Sequence, residues 1–208
     1  MTVKIDRDHT RPMKRVLFPF LLVTTALLCG CLFPEKFNAK LTVNPDASYR
    51  VRFDGSVAYV PAVAQMSQTK KPLSVQDEAM LNAEARKLSN VRGITQASYA
   101  GNGRLNIALD DTQKAGMPLN VLDMIKVSTD KDGVMTIASP KLDEKTKSEI
   151  KKLGLNLSGT LEVDLPKNAE VLSSNTTSSP SFFGWIGSYA WKIGSIDQAP
   201  VMRIHFKK

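Results

Sequence analysis

From position 37 onward, much of the chain alternates apolar and polar residues, the period of a half-buried strand. Phe37, Ala39, Leu41 and Val43 are separated by Asn38, Lys40 and Thr42, and Asn44-Pro45-Asp46 then supplies turn chemistry, with proline pre-setting φ. Tyr49, Val51, Phe53, Val57 and Tyr59 hold the same period beyond that turn, opposite Arg50, Arg52 and Asp54. The two runs predict an antiparallel hairpin with one wet face. Ala97 and Tyr99 lead into Gly101-Asn102-Gly103, and Leu105, Ile107 and Leu109 lead out, which predicts a second hairpin. Ile125 and Val127, the turn Asp130-Lys131-Asp132-Gly133 and residues 134–137 predict a third.

Two helices are expected. Ser74, with Asp77 three residues on, caps one over about 74–90, with Leu81, Ala85 and Leu88 as its apolar stripe. Ser139-Pro140 opens the other, with Leu142, Ile150 and Leu153 inward and Gly154 as its stop. Strands are predicted over 157–165 and 169–173. After the polar breaker run 175–180, Tyr189, Trp191 and Ile193, then Met202, Ile204 and Phe206, each share one face of a closing strand. No internal repeat interrupts this order. The predicted fold is one α+β domain over residues 37–208, a mainly antiparallel β-sheet of hairpins packed by two helices.

Ahead of the domain the pattern changes. Residues 16–28 carry no charge, follow Lys14 and Arg15, and precede Cys29-Gly30-Cys31. Basic, apolar, small, cysteine is the order of a secretory signal. Thirteen residues of helix span only about 20 Å, against about 30 Å for a bilayer core. An uncleaved anchor helix running on through Leu32 and Phe33 is the alternative. Met13 begins a compact signal by itself, so residues 1–12 are either an upstream start-site extension or a long basic region. Leu28-Cys29-Gly30-Cys31 resembles the lipobox of bacterial lipoproteins, in which a small residue precedes the acylated cysteine. The resemblance implies a signal peptide over 1–30, with Cys31 as the new N-terminus carrying palmitate-type acyl chains. Several such chains on one cysteine give lasting membrane attachment, since each buried methylene contributes about 0.8 kcal/mol. Residues 32–36 are expected to be a tether reaching at most about 17 Å. Leu32, rather than Asp, follows the cysteine, which by the enteric sorting habit points to the outer membrane, with the domain facing the periplasm.

Composition adds what the mature domain is not. The 208 residues are 42% hydrophobic and 23% charged, which suits one globular domain plus a targeting segment and argues against disorder or a multispan membrane protein. Removing residues 1–30 takes five basic and two acidic side chains from totals of 28 and 20, leaving 23 against 18, or about +5. So mild a charge on an exported domain argues against nucleic acid as a partner. The one cysteine left is the acylated one, so no internal disulfide is expected.

Candidate chemistry is sparse. His205 is the sole histidine after the signal, and it alternates away from Ile204 and Phe206, which leaves a hydrolytic triad one base on the wet face of a strand. One histidine and an acylated cysteine make no zinc set. Asp130-Lys131-Asp132-Gly133 lacks the acidic residue six places on that a calcium loop needs, and Gly101-Asn102-Gly103 opens no helix that could hold a phosphate. No cofactor is expected and no catalytic set is assigned. Two features could meet a partner. Lys141, Lys145, Lys147, Lys151 and Lys152 crowd the second helix against Asp143, Glu144 and Glu149, either a solvated face or one drawn to an anionic leaflet. Phe182, Phe183, Trp185 and Ile186 crowd an otherwise polar loop, a candidate interface that folds over the core, meets a protein or amphiphile, or enters the bilayer.

The C-terminal half also carries Leu161-Glu162-Val163-Asp164-Leu165-Pro166, then Val171, Asn175 and Tyr189-Ala190-Trp191 before the closing strand. With the lipobox and the early hairpin, this resembles the LppM-like lipoproteins over residues 31–206. The resemblance implies a membrane-anchored extracytoplasmic α+β domain without an established catalytic set, for which lipid or amphiphile contact is an attractive role. Many such proteins add a C-terminal transmembrane helix, whereas this sequence closes in a strand and Lys207-Lys208, so the expected anchor is N-terminal. The functional expectation is a non-enzymatic lipoprotein presenting a binding or assembly domain to the periplasm, its partners being the membrane and an envelope protein or amphiphile. The alternative is a carrier or chaperone of an amphiphile held between sheet and helix near Tyr189 and Trp191, and an unrecognised hydrolase is a third reading. Replacing the sulfur in Cys31→Ser is expected to abolish metabolic labelling by radioactive fatty acid and to leave an uncleaved precursor; undiminished labelling would reject the lipobox assignment.

Overall fold

The computed structural model describes residues 32–181 and 187–207. The signal sequence, Cys31, and the cluster of Phe182, Phe183, Trp185 and Ile186 lie outside the described residues.

The described chain opens directly in β1 (Leu32–Val43) and returns as β2 (Tyr49–Tyr59). Between them Asp46 accepts hydrogen bonds from the Ser48 N–H at 3.0 Å and the Ser48 hydroxyl at 2.6 Å, so the turn is held by the side chain its sequence announces. Two helices follow, α1 (Val60–Thr69) and α2 (Val75–Leu88), then the hairpin β3 (Ile94–Gly101) and β4 (Arg104–Gln113). A meander of β5 (Leu119–Val121), β6 (Ile125–Thr129) and β7 (Met135–Ala138) leads to α3 (Glu144–Lys152). The chain closes with β8 (Ser158–Asp164), β9 (Ala169–Ser174), β10 (Tyr189–Ile193) and β11 (Val201–Phe206).

The architecture is α+β, with strands that pair antiparallel everywhere except between β1 and β8. They form two sheets rather than the one expected, six strands in the order β10-β8-β1-β2-β4-β3 and five in the order β5-β6-β7-β11-β9. One apolar cluster joins Leu41, Val51, Phe53 and Leu161 of the first sheet to Ile125, Ile137, Met202 and Ile204 of the second. Each sheet therefore buries one face against shared core, and period two serves both.

Among the described residues three helices stand where two were expected. The additional one, α1, follows β2 without a connecting residue. Pro61 occupies its first turn, where a missing N–H is harmless, and Ala62 and Val63 are its buried face. Ser74 caps α2 by accepting from the Asp77 N–H, as its sequence predicts. The start of α3 falls later than Ser139-Pro140, because Asp143 is the cap and accepts from the Thr146 N–H at 2.7 Å. Residues 139–143 are loop instead.

A larger correction concerns residues 32–36. Expected as a short tether, they are the first stretch of β1, with Leu32 opposite Tyr59, Phe33 opposite Ala58 and Pro34 opposite Val57. The pairing shifts register between Pro34 and Lys36, a bulge that accommodates a residue with no N–H to donate. Glu35, the extra residue, takes the Arg104 guanidinium in two hydrogen bonds of 2.7 and 3.1 Å.

Immediately after the bulge, Phe37 sits between two glycines, Gly55 on β2 and Gly159 on β8, its register partners on either side. Its ring stacks on Phe53 with centroids 5.9 Å apart. A Cβ at Gly159 would overlap both the carbonyl oxygen and the ring of Phe37. Gly159→Ala is therefore expected to destabilise the domain by about 2 kcal/mol through overpacking, a fall of several degrees in Tm. Gly194→Ala, where an added Cβ meets nothing within 4 Å, is the control and should stay within about 0.5 kcal/mol. Urea melts of both variants check this.

Candidate functional site

Beside the beginning of β1 the two sheets and α3 leave an apolar pocket of about 370 Å³. Leu32, Phe33 and Pro34 form one wall. Opposite them α3 contributes Ile150 and Leu153 from its apolar stripe, and the loop before it contributes Pro140 and Leu142. Ile193 at the end of β10 and Ile196 just beyond complete the apolar lining from the first sheet's edge.

The turn between β5 and β6 supplies Leu122 and Met124. The Met124 N–H donates to the Val121 carbonyl at 2.8 Å, and the two central residues, Leu122 and Asp123, have φ of 50° and 54°. Positive φ at both positions is the geometry of a type I′ hairpin turn. Leucine is disfavoured there, at a cost of about 1–2 kcal/mol. Asn120 donates its side-chain amide to Asp123 at 2.6 Å and pins the turn. Strain of this kind persists where surroundings over-determine it, and here it sets an apolar side chain into the pocket lining.

The connection from β10 to β11 is tied to α3. Lys147 holds Asp197 of that connection at 2.8 Å and Glu144 of its own helix at 2.8 Å. Hydrogen bonding to Asp197, then to Glu144, drives the Lys147 ammonium well above the usual lysine range. The same ammonium holds the Asp197 carboxyl below the usual carboxylate range. Gln198 secures the connection from within by accepting the Gly194 N–H at 2.6 Å. Among the pocket residues the ionisable ones are Asp123 and Glu149; lysine, arginine and histidine are absent from the lining.

Other expectations fall out differently. Tyr189 and Trp191 do not line this pocket. Trp191 is buried in the main core with its indole N–H on Asn175 at 2.8 Å, and Tyr189 packs against the same cluster, so Ile193 is the β10 residue that reaches the cavity. His205 is exposed on β11, opposite Glu170. Asp130 accepts the N–H groups of Asp132 and Val134 at 3.0 and 2.9 Å, which makes its loop a hydrogen-bonded turn. Among the described residues no three His, Cys, Asp or Glu side chains converge as a metal site, and no helix is long and apolar enough to cross a membrane. The lysines of α3 are exposed apart from Lys147. On the wet face of the six-stranded sheet the charges pair among themselves, Lys40 with Asp164 at 2.8 Å and Arg50 with Asp110 at 2.6 Å, leaving no single-sign field.

The α+β fold thus leaves a cavity between helix and sheets that is apolar in most of its walls and acidic in its few charges. No family model matches the chain, and no curated protein matches it. Among solved structures it is similar to the NMR structure of the Mycobacterium tuberculosis LppM protein folded domain, at a TM-score of 0.37 and 10% identity, covering 85% of this chain and 92% of that one. This is a weak fold-level likeness and nothing finer.

The Lys147–Asp197 ion pair ties α3 to the β10–β11 connection, two elements that both contribute to the pocket lining. Asp197→Asn is expected to speed amide hydrogen exchange in α3 while leaving β1 and β2 unchanged. Acid should act the same way, since a depressed carboxyl pKa contributes stability at neutral pH that is lost as pH falls through the depressed value. Exchange in α3 that is insensitive to both changes would show that the pair does not latch the helix.

Proposed function

We propose that this protein is a membrane-anchored envelope lipoprotein, attached through acyl chains on Cys31 and facing the periplasm from the outer membrane, whose domain binds the apolar chain of an amphiphile. The binding or assembly role expected from the sequence takes this specific form because of one observation, the apolar pocket formed by the opening of β1 and by α3. A volume of about 370 Å³ is within the ordinary range for small-molecule sites, about 300–1,000 Å³. Each methylene moved into it from water contributes about 0.8 kcal/mol before ordering costs. A lining with carboxylates and no basic side chain favours an amphiphile with a neutral head.

The reading is non-catalytic. Its support is the lining itself, in which apolar side chains surround a few scattered polar groups, with the exposed His205 outside it. Binding is tested on the mature chain with Cys31→Ser, exported behind an ordinary cleaved leader. Titration with dodecanol, a neutral single chain, is expected to give one site with a negative heat-capacity change. Leu142→Glu, which sets a carboxylate into the pocket wall, should weaken that binding at least tenfold with the melting transition retained. Equal affinity in the two proteins would place dodecanol elsewhere and reject the pocket as the site.

A further inference from the structure

Residue 31 is joined to Leu32 by one peptide, so their Cα atoms are about 3.8 Å apart. Leu32, Phe33 and Pro34 are pocket wall. The described chain thus begins at the edge of a cavity suited to hydrocarbon, and the residue just before it is the expected acylation site. We propose that the resident occupant of the pocket is one acyl chain carried by this protein's own Cys31. The proposal rests on the reading above and names the source of the chain.

Size favours a single chain. If a methylene takes roughly the share of a liquid water, about 30 Å³, a cavity of about 370 Å³ holds about a dozen carbons. Charge favours an attached chain over a free anionic lipid. The ionisable groups of the lining are the carboxylates Asp123 and Glu149, with no lysine or arginine to receive a phosphate or a fatty-acid carboxylate. A chain linked to the protein's own first residue brings no such head. Tethering supplies the remaining preference. Bilayer and pocket are both apolar, so exchange between them changes little hydrophobic free energy, and a chain fastened beside the cavity is present at an effective concentration in about the millimolar range. Because β1 is paired from Leu32 onward, the residue to which Cys31 is bonded is fixed at the pocket's edge. A chain so held is withdrawn from the membrane, and an incoming neutral amphiphile must displace it.

The test is photocrosslinking. Cells producing the full chain are fed a fatty acid bearing a diazirine near its end, membranes are irradiated, and crosslinked peptides are mapped by mass spectrometry. The expected result is attachment of the Cys31 peptide to peptides containing Leu142, Leu153 or Met124 of the same molecule, confirmed with mixed heavy- and light-nitrogen copies. Leu142→Glu should reduce that crosslink at least fivefold with acylation unchanged. Crosslinks to bilayer lipid or to neighbouring copies alone, or no incorporation at Cys31, would overturn the proposal. A parallel arm adds a free diazirine-bearing long-chain alcohol to the Cys31→Ser chain. Labelling of the same peptides there, without them in the first arm, rejects the own-chain occupant and keeps the pocket. Failure in both arms rejects the pocket reading as well.

Discussion

The constraint that organises this molecule is that its first described strand is also an interior one. β1 is hydrogen-bonded to β2 on one side and to β8 on the other, and Phe37 near its middle needs both neighbours to be glycine at its own level. A strand in that position is held by two ladders and by the core beneath it. The domain is therefore ordered from Leu32 onward. Residues 32–36, expected to be a tether, are strand held in the sheet.

The same strand gives the pocket its position. Seven separate stretches of chain meet there: the start of β1, Val60 at the head of α1, the β5–β6 turn, the loop before α3, α3 itself, Leu157 ahead of β8, and the end of β10 with the connection to β11. Two of them carry visible signs of being held in place, the turn with leucine at positive φ and the connection fixed to α3 through Lys147 and Asp197. The many lysines of α3 do not enter the cavity; Lys147 spends its charge on Asp197 and Glu144, and the rest face solvent. The site is an apolar recess with an acidic accent under a helix whose outer face is basic.

Local chemistry carried much of the fold. Alternation named the hairpins of β1 with β2, β3 with β4 and β6 with β7, and Ser74 with Asp77 marked α2 because the cap is a contact between neighbours in sequence. What stayed hidden depended on distant partners. Period two says that a strand has a dry face but not which sheet provides its cover, so two sheets read as one. The pairing of Lys36 with Ser158 and of Leu41 with Val163 has no local signature. α1 was missed because it continues from β2 without a polar break. The pocket was legible only as a guess about sheet and helix. Its actual walls come from Leu122, Leu142 and Ile193, each an ordinary apolar residue until the topology brings them together, while Trp191, the conspicuous candidate, was needed by the core.

The parallel partnership of β1 and β8 has a temporal side. Synthesis delivers the N-terminal end first, so β1 and β2 can zip together early, while the other flank of β1 must wait for a segment made long afterwards. During that interval one ladder of unpaired amides and carbonyls stays open beside a large aromatic ring, an invitation to foreign strands. The first described strand is among the last to be completed, and a crowded cell gives such a nascent intermediate reason to need an escort.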